Sequence, residues 1–124
     1  MKDPSSPEAE RRIALNPKSR ISPSVRNNEA IRRASMNGHK EVVELLLKDP
    51  RVDPSANDNY AIRLASEYGH KEVVEILLKD SRVDPSAKNN YAIRLASEYG
   101  HKEVVEILLK DSRVSNFYNQ KINA

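Results

Sequence analysis

Residues Tyr60 to Val83 read YAIRLASEYGHKEVVEILLKDSRV, and residues Tyr91 to Val114 read the same, letter for letter. Identity at a fixed offset of 31 residues confines the chain to architectures made by stacking one unit, because each copy must take the same structure beside the same neighbours. A looser copy, EAIRRASMNGHKEVVELLLKDPRV, runs from Glu29 to Val52. Upstream, Ile13-Ala14-Leu15 and Ile21-Ser22-Pro23-Ser24 fall one period ahead of Glu44-Leu45-Leu46 and Val52-Asp53-Pro54-Ser55, which reads as a truncated capping unit. The expected division is an N-terminal tail and partial capping unit over 1–28, units over 29–59, 60–90 and 91–114, and a C-terminal capping tail over 115–124.

Each unit carries the signals of two short helices and a loop. Asn59 is a candidate N-cap, Ala61 to Tyr68 are mostly good helix formers, and Gly69 supplies the left-handed residue that ends the helix. From Lys71 to Lys79, the residues Val73, Val74, Ile76, Leu77 and Leu78 form a broad apolar arc, with Lys71, Glu72, Glu75 and Lys79 toward solvent. Glu75 and Lys79 stand in the favourable order for an i,i+4 ion pair. Asp84-Pro85 stops the second helix, since proline disfavours helical geometry in the residue before it. Helices below about 12 residues are marginal alone in water. The pairs must therefore stack, burying Ile62, Ala65, Val74, Leu77 and Leu78 against their equivalents in an all-α solenoid.

Composition removes several classes of function. No run approaches the roughly 18 apolar residues of a membrane span. MKDPSSPEAERR lacks the apolar stretch of a secretory signal, so a cytoplasmic, non-secreted chain without a membrane partner is expected. The absence of Cys excludes disulfides, thiolate metal sites and a cysteine nucleophile. Lys and Arg number 21 against 18 Asp and Glu, yet they are spread evenly, five against five in 30–60 and again in 61–91. A nucleic-acid surface needs cations gathered on one face, so nucleic acid is not an expected partner.

The segment A-S-x-x-G-H-K-E-V-V-E-x-L-L recurs at Ala34 to Leu47, Ala65 to Leu78 and Ala96 to Leu109. It resembles the core of the ankyrin repeat, and the resemblance spans about residues 10 to 114. It implies an ankyrin-like solenoid of helix-turn-helix units with short loops. It also implies that His39, His70 and His101 sit with Gly38, Gly69 and Gly100 in the turns and bond to backbone. The unit departs from the family in opening on Tyr60-Ala61-Ile62-Arg63 rather than Thr-Pro-Leu-His, and in being about two residues shorter than the usual 33 or so. The hairpin that projects in the family is expected to be shortened.

No active site is legible. Layers of packed helices lie roughly 8 to 10 Å apart, against Zn–N distances of about 2.0 to 2.1 Å, so the three histidines cannot share an ion. The three glycines all occupy one helix-ending position, leaving none to cradle a phosphate, and no H-E-x-x-H pattern or nucleophile elbow occurs. A non-enzymatic chain without cofactor or metal is expected. Carried over from ankyrin contact positions, the candidate protein-binding residues are Asn59, Glu67 and Tyr68, with Asn90, Glu98 and Tyr99, and in the first unit Asn28, Met36 and Asn37. Tyr68 and Tyr99 have a second reading, in which they pack on each other along the stack. Phe117, Tyr118 and Ile122 are the candidate cap over the last repeat face, and self-association there is the alternative to a monomer.

Identical residues at equivalent contact positions carry little discrimination between partners. The sequence thus points first to an engineered or consensus-type repeat framework with no dedicated ligand. The alternative is a natural adaptor that binds a protein on its concave face. Contacts in either case are nearest-neighbour, so deleting Ala61 to Tyr91 should leave a chain that still unfolds cooperatively at a lower urea midpoint. Loss of helical circular dichroism on that deletion would refute the stacked-unit reading.

Overall fold

The computed structural model describes residues 25–116. Six helices follow one another: α1 (Val25–Asn37), α2 (Lys40–Leu47), α3 (Ala56–Glu67), α4 (Lys71–Leu78), α5 (Ala87–Glu98) and α6 (Lys102–Leu109). A further helical turn occupies 112–116, and no strand occurs among the described residues. The first helices α1, α3 and α5 pack in one row and the second helices α2, α4 and α6 in another. Between the rows lies a ladder of equivalent side chains: Ile31, Ile62 and Ile93; Ala34, Ala65 and Ala96; Leu46, Leu77 and Leu108; Val52, Val83 and Val114, all buried. Burying each large aliphatic side chain contributes about 1.5–3 kcal/mol. Leu78 is only partly buried at the edge of this core.

Each first helix ends where its glycine turns left-handed, at φ +74, +75 and +75 for Gly38, Gly69 and Gly100. The next N–H folds back, His70 to the Ala65 carbonyl at 2.9 Å and His101 to that of Ala96 at 2.8 Å, which satisfies carbonyls the helix leaves open. The glycine also leaves room for its neighbour. A Cβ on Gly38 would stand 2.6 Å from Nδ1 of His70, and one on Gly69 2.5 Å from Nδ1 of His101. The same imidazoles bind backbone one unit back, His70 Nε2 to the Met36 carbonyl at 2.8 Å and His101 Nε2 to the Glu67 carbonyl at 2.9 Å. A carbonyl only accepts, so Nε2 carries the proton in both.

The start of the first helix differs from the N-cap reading. Asn57, Asp58 and Asn59 are all left-handed (φ 56, 55 and 61), as are Lys88, Asn89 and Asn90, so the right-handed helix begins at Tyr60 and Tyr91. Asn and Asp tolerate this region best among residues with a Cβ. Asn59 does not cap its own helix; its Oδ1 accepts the Asp84 N–H of the following unit at 2.7 Å, as Asn28 Oδ1 accepts that of Asp53 at 2.8 Å. Asp84 Oδ1 in turn receives the Ser86 N–H at 2.9 Å and hydroxyl at 2.6 Å. Arg82 Nη1 donates to the Val52 carbonyl at 2.8 Å, and Arg113 Nη1 to that of Val83 at 3.0 Å. Hydrogen bonds from Arg51, Arg82 and Arg113 hold the carboxyls of Asp49, Asp80 and Asp111 below the usual range, Asp49 at about 2. Glu75 and Lys79 form no ion pair among the described residues. Lys71 instead reaches Glu103 of the next unit at 2.5 Å.

In the third unit the same fittings lack a follower among the described residues. Among the described residues nothing lies within 4 Å of where a Cβ on Gly100 would stand. Asn90 is 3% exposed, and its carboxamide has no hydrogen-bond partner among the described residues. Phe117, Tyr118 and Ile122 lie outside the described residues. Glycine tolerates the left-handed backbone, so Asn59→Gly and Asn90→Gly each remove only a side chain. Asn59→Gly should cost about 1–3 kcal/mol more in urea unfolding than Asn90→Gly, because only the first strands a backbone N–H. Equal costs would show that the Asn59–Asp84 bond contributes nothing to stacking.

Candidate protein-interaction face

Tyr60, Arg63 and Glu67 stand at i, i+3 and i+7 of α3, so they share one helix face away from the core. Stacking sets these faces side by side and alternates the rings with guanidinium groups. Arg32 lies 5.8 Å from the Tyr60 ring centre, Arg63 4.7 Å from Tyr60 and 5.0 Å from Tyr91, and Arg94 5.8 Å from Tyr91. Each such contact is worth about 0.5–1 kcal/mol at an exposed site. Arg63 also donates to the carbonyls of Asp58 and Asn57, both at 3.0 Å, and Arg94 to those of Asn89 and Lys88 at 3.0 and 3.2 Å. The left-handed turn and the ladder are therefore held by the same side chains. The Tyr-x-x-Arg spacing at Tyr60 and Tyr91 was visible in the sequence, but its partners one unit away were not.

The Tyr91 hydroxyl donates to Glu67 Oε1 at 2.9 Å. That bond raises the Tyr91 phenol above its ordinary value of 10.0, since ionisation would set a phenolate against a carboxylate. One unit earlier the pattern changes. Glu29, Arg32, Arg33 and Met36 of α1 face Tyr60 and Leu64 across a cavity of about 270 Å³. Arg33 Nε gives a 2.6 Å bond to Glu29 Oε1.

The candidate contact residues divide by environment. Asn59 and Asn90 are buried, and Glu67 is half-buried against Tyr91. Met36 and Asn37 are half-buried, and Glu98 is exposed. Tyr68 and Tyr99 end α3 and α5 with 52% and 56% of their surface exposed. They form no ring pair with each other among the described residues; Tyr99 instead lies 6.4 Å from the His101 ring. Among the described residues no group of three His, Cys, Asp or Glu side chains could hold a metal, and no helix is long and apolar enough to cross a membrane.

Two rows of short helices joined by Gly-His turns, with a polar and aromatic ladder on the first row, define a helical repeat protein of the kind that presents a surface. The family model for ankyrin repeats (3 copies) matches residues 31–121, so the chain belongs to the ankyrin-repeat family. Ankyrin repeats are generally protein–protein interaction modules and generally not enzymes. No curated protein and no solved structure matches the chain.

The Tyr91–Glu67 bond contributes to stability fully below pH 10 and loses that contribution as pH rises through the raised phenol value. An ultraviolet titration should show a component ionising above 10 that Glu67→Gln brings back toward 10. A late component that survives Tyr91→Phe would assign it elsewhere.

Proposed function

We propose that the chain is a non-enzymatic scaffold that binds a protein partner along the row of first helices, with Tyr68 and Tyr99 as its anchors. The observation that carries this reading is their exposure: two tyrosines, one unit apart and each more than half open to solvent, at the ends of adjacent helices. Tyrosine is favoured as an interface anchor because its ring buries apolar area while its hydroxyl keeps a polar partner. Around them the Arg–Tyr ladder offers a rigid floor, since its side chains are already ordered by contacts within the stack.

A second reading, an engineered or consensus-type framework with no dedicated ligand, is favoured by the letter-for-letter identity of 60–83 and 91–114. The two separate in a selection of random displayed peptides on the immobilised full chain. The scaffold reading expects enriched peptides whose affinity falls more than about tenfold for Tyr68→Ala/Tyr99→Ala at unchanged helicity. Peptides that bind the double variant equally well overturn it, and a selection without enrichment supports the ligand-free framework.

A further inference from the structure

Repetition supplies an internal template for the cavity between the first two units. Tyr60 and Tyr91 are equivalent, and Tyr91 gives its hydroxyl to the Glu67 carboxylate at 2.9 Å. The residue equivalent to Glu67 one unit earlier is Met36, whose thioether is a poor acceptor. Among the described residues the Tyr60 hydroxyl has no hydrogen-bond partner, and it belongs to a residue lining the cavity that Met36 also lines. The residue equivalent to Leu64 in this unit is Arg33, which commits its Nε to Glu29 and leaves both Nη groups unclaimed among the described residues.

We infer that this cavity receives a carboxylate side chain from an acidic segment of a protein partner, which takes at Tyr60 the place Glu67 holds at Tyr91. The incoming oxygens accept the Tyr60 hydroxyl and an Arg33 Nη–H, and the methylenes behind the carboxylate lie on Met36 and Leu64. A guanidinium and a phenol lining one cavity match an ionised carboxylate better than a neutral group, because charge-assisted bonds are the stronger ones. The inference rests on the scaffold reading above and narrows it, assigning the partner an Asp or Glu at the junction of the first two units.

The test uses the full chain and a fluorescein-labelled hexaglutamate peptide, with hexaglutamine as control, read by fluorescence polarisation. Saturable binding of hexaglutamate alone is expected. Met36→Gln supplies an internal acceptor for Tyr60 without changing charge and should weaken binding about fivefold or more. Met36→Glu should weaken it by more than about tenfold, and Tyr60→Phe about threefold. Lys79→Gln removes a remote exposed cation and should leave binding unchanged, and each variant's thermal midpoint reports its folding. Failure to bind hexaglutamate, which includes the case of the chain's own Asp3, Glu8 or Glu10 holding the cavity, overturns the inference. So does an equal loss in Met36→Gln and Lys79→Gln. If hexaglutamate fails while selected peptides still depend on Tyr68 and Tyr99, the carboxylate site falls and the scaffold reading stands.

Discussion

An eight-residue helix such as KEVVEILL has no independent stability in water, so every unit of this chain depends on burial against a copy of itself. That dependence explains why the spacing repeated within each unit is so strict. Ile, Ala, Leu and Val at fixed positions meet their equivalents across each junction, and Ala34, Ala65 and Ala96 let the first helices approach closely. Apolar contact of this kind is non-directional and would tolerate sliding. The polar fittings are directional. An imidazole over a bare glycine, an asparagine oxygen on a backbone N–H and an arginine on a carbonyl each admit one register, so together they specify the offset at which the units stack.

The same fittings have a different status at the two ends. Gly38 and Gly69 are covered by the next unit's histidine, whereas Gly100 is open and the Asn90 carboxamide is buried without a partner among the described residues. A buried amide without partners costs free energy that the internal copies do not bear. The third unit therefore keeps, unchanged, the sequence of an internal unit in a place where its stacking groups have no follower among the described residues. Two buried hydroxyls, on Ser35 and Ser66, likewise lack partners among the described residues.

The first unit is where the repetition breaks in a way that matters chemically. Glu29, Arg33 and Met36 stand where the later units have Tyr, Leu and Glu. Within the second and third units the Tyr91 hydroxyl and the Glu67 carboxylate satisfy each other, and the face is closed by its own residues. Substituting Met for that Glu opens the contact and shifts the local charge toward positive. The first copy thereby presents a face unlike those of the second and third, and such a difference between copies is what a discriminating surface requires.

The 31-residue period, the helix pair, the glycine that ends the first helix and most of the buried ladder were all determined by the sequence itself. They rest on local chemistry, namely hydrophobic spacing and glycine at positive φ. The second helix, by contrast, ends at Leu78, well short of Asp84-Pro85, and at the equivalent Leu109 where no proline follows, so the Asp-Pro pair does not set its end. The tertiary structure alone decided where the polar side chains go. Asn59 has the composition of a local cap yet bonds 25 residues ahead, Tyr91 finds Glu67 24 residues back, and His101 reaches a carbonyl 34 residues back. Tyr68 and Tyr99 could equally have stacked on each other, and their exposure followed only from the packing of α3 on α5. Periodicity says which residues are equivalent, but equivalent residues meet different partners depending on the distance and rotation between units. Those are set by how the apolar faces close, not by any single stretch of chain.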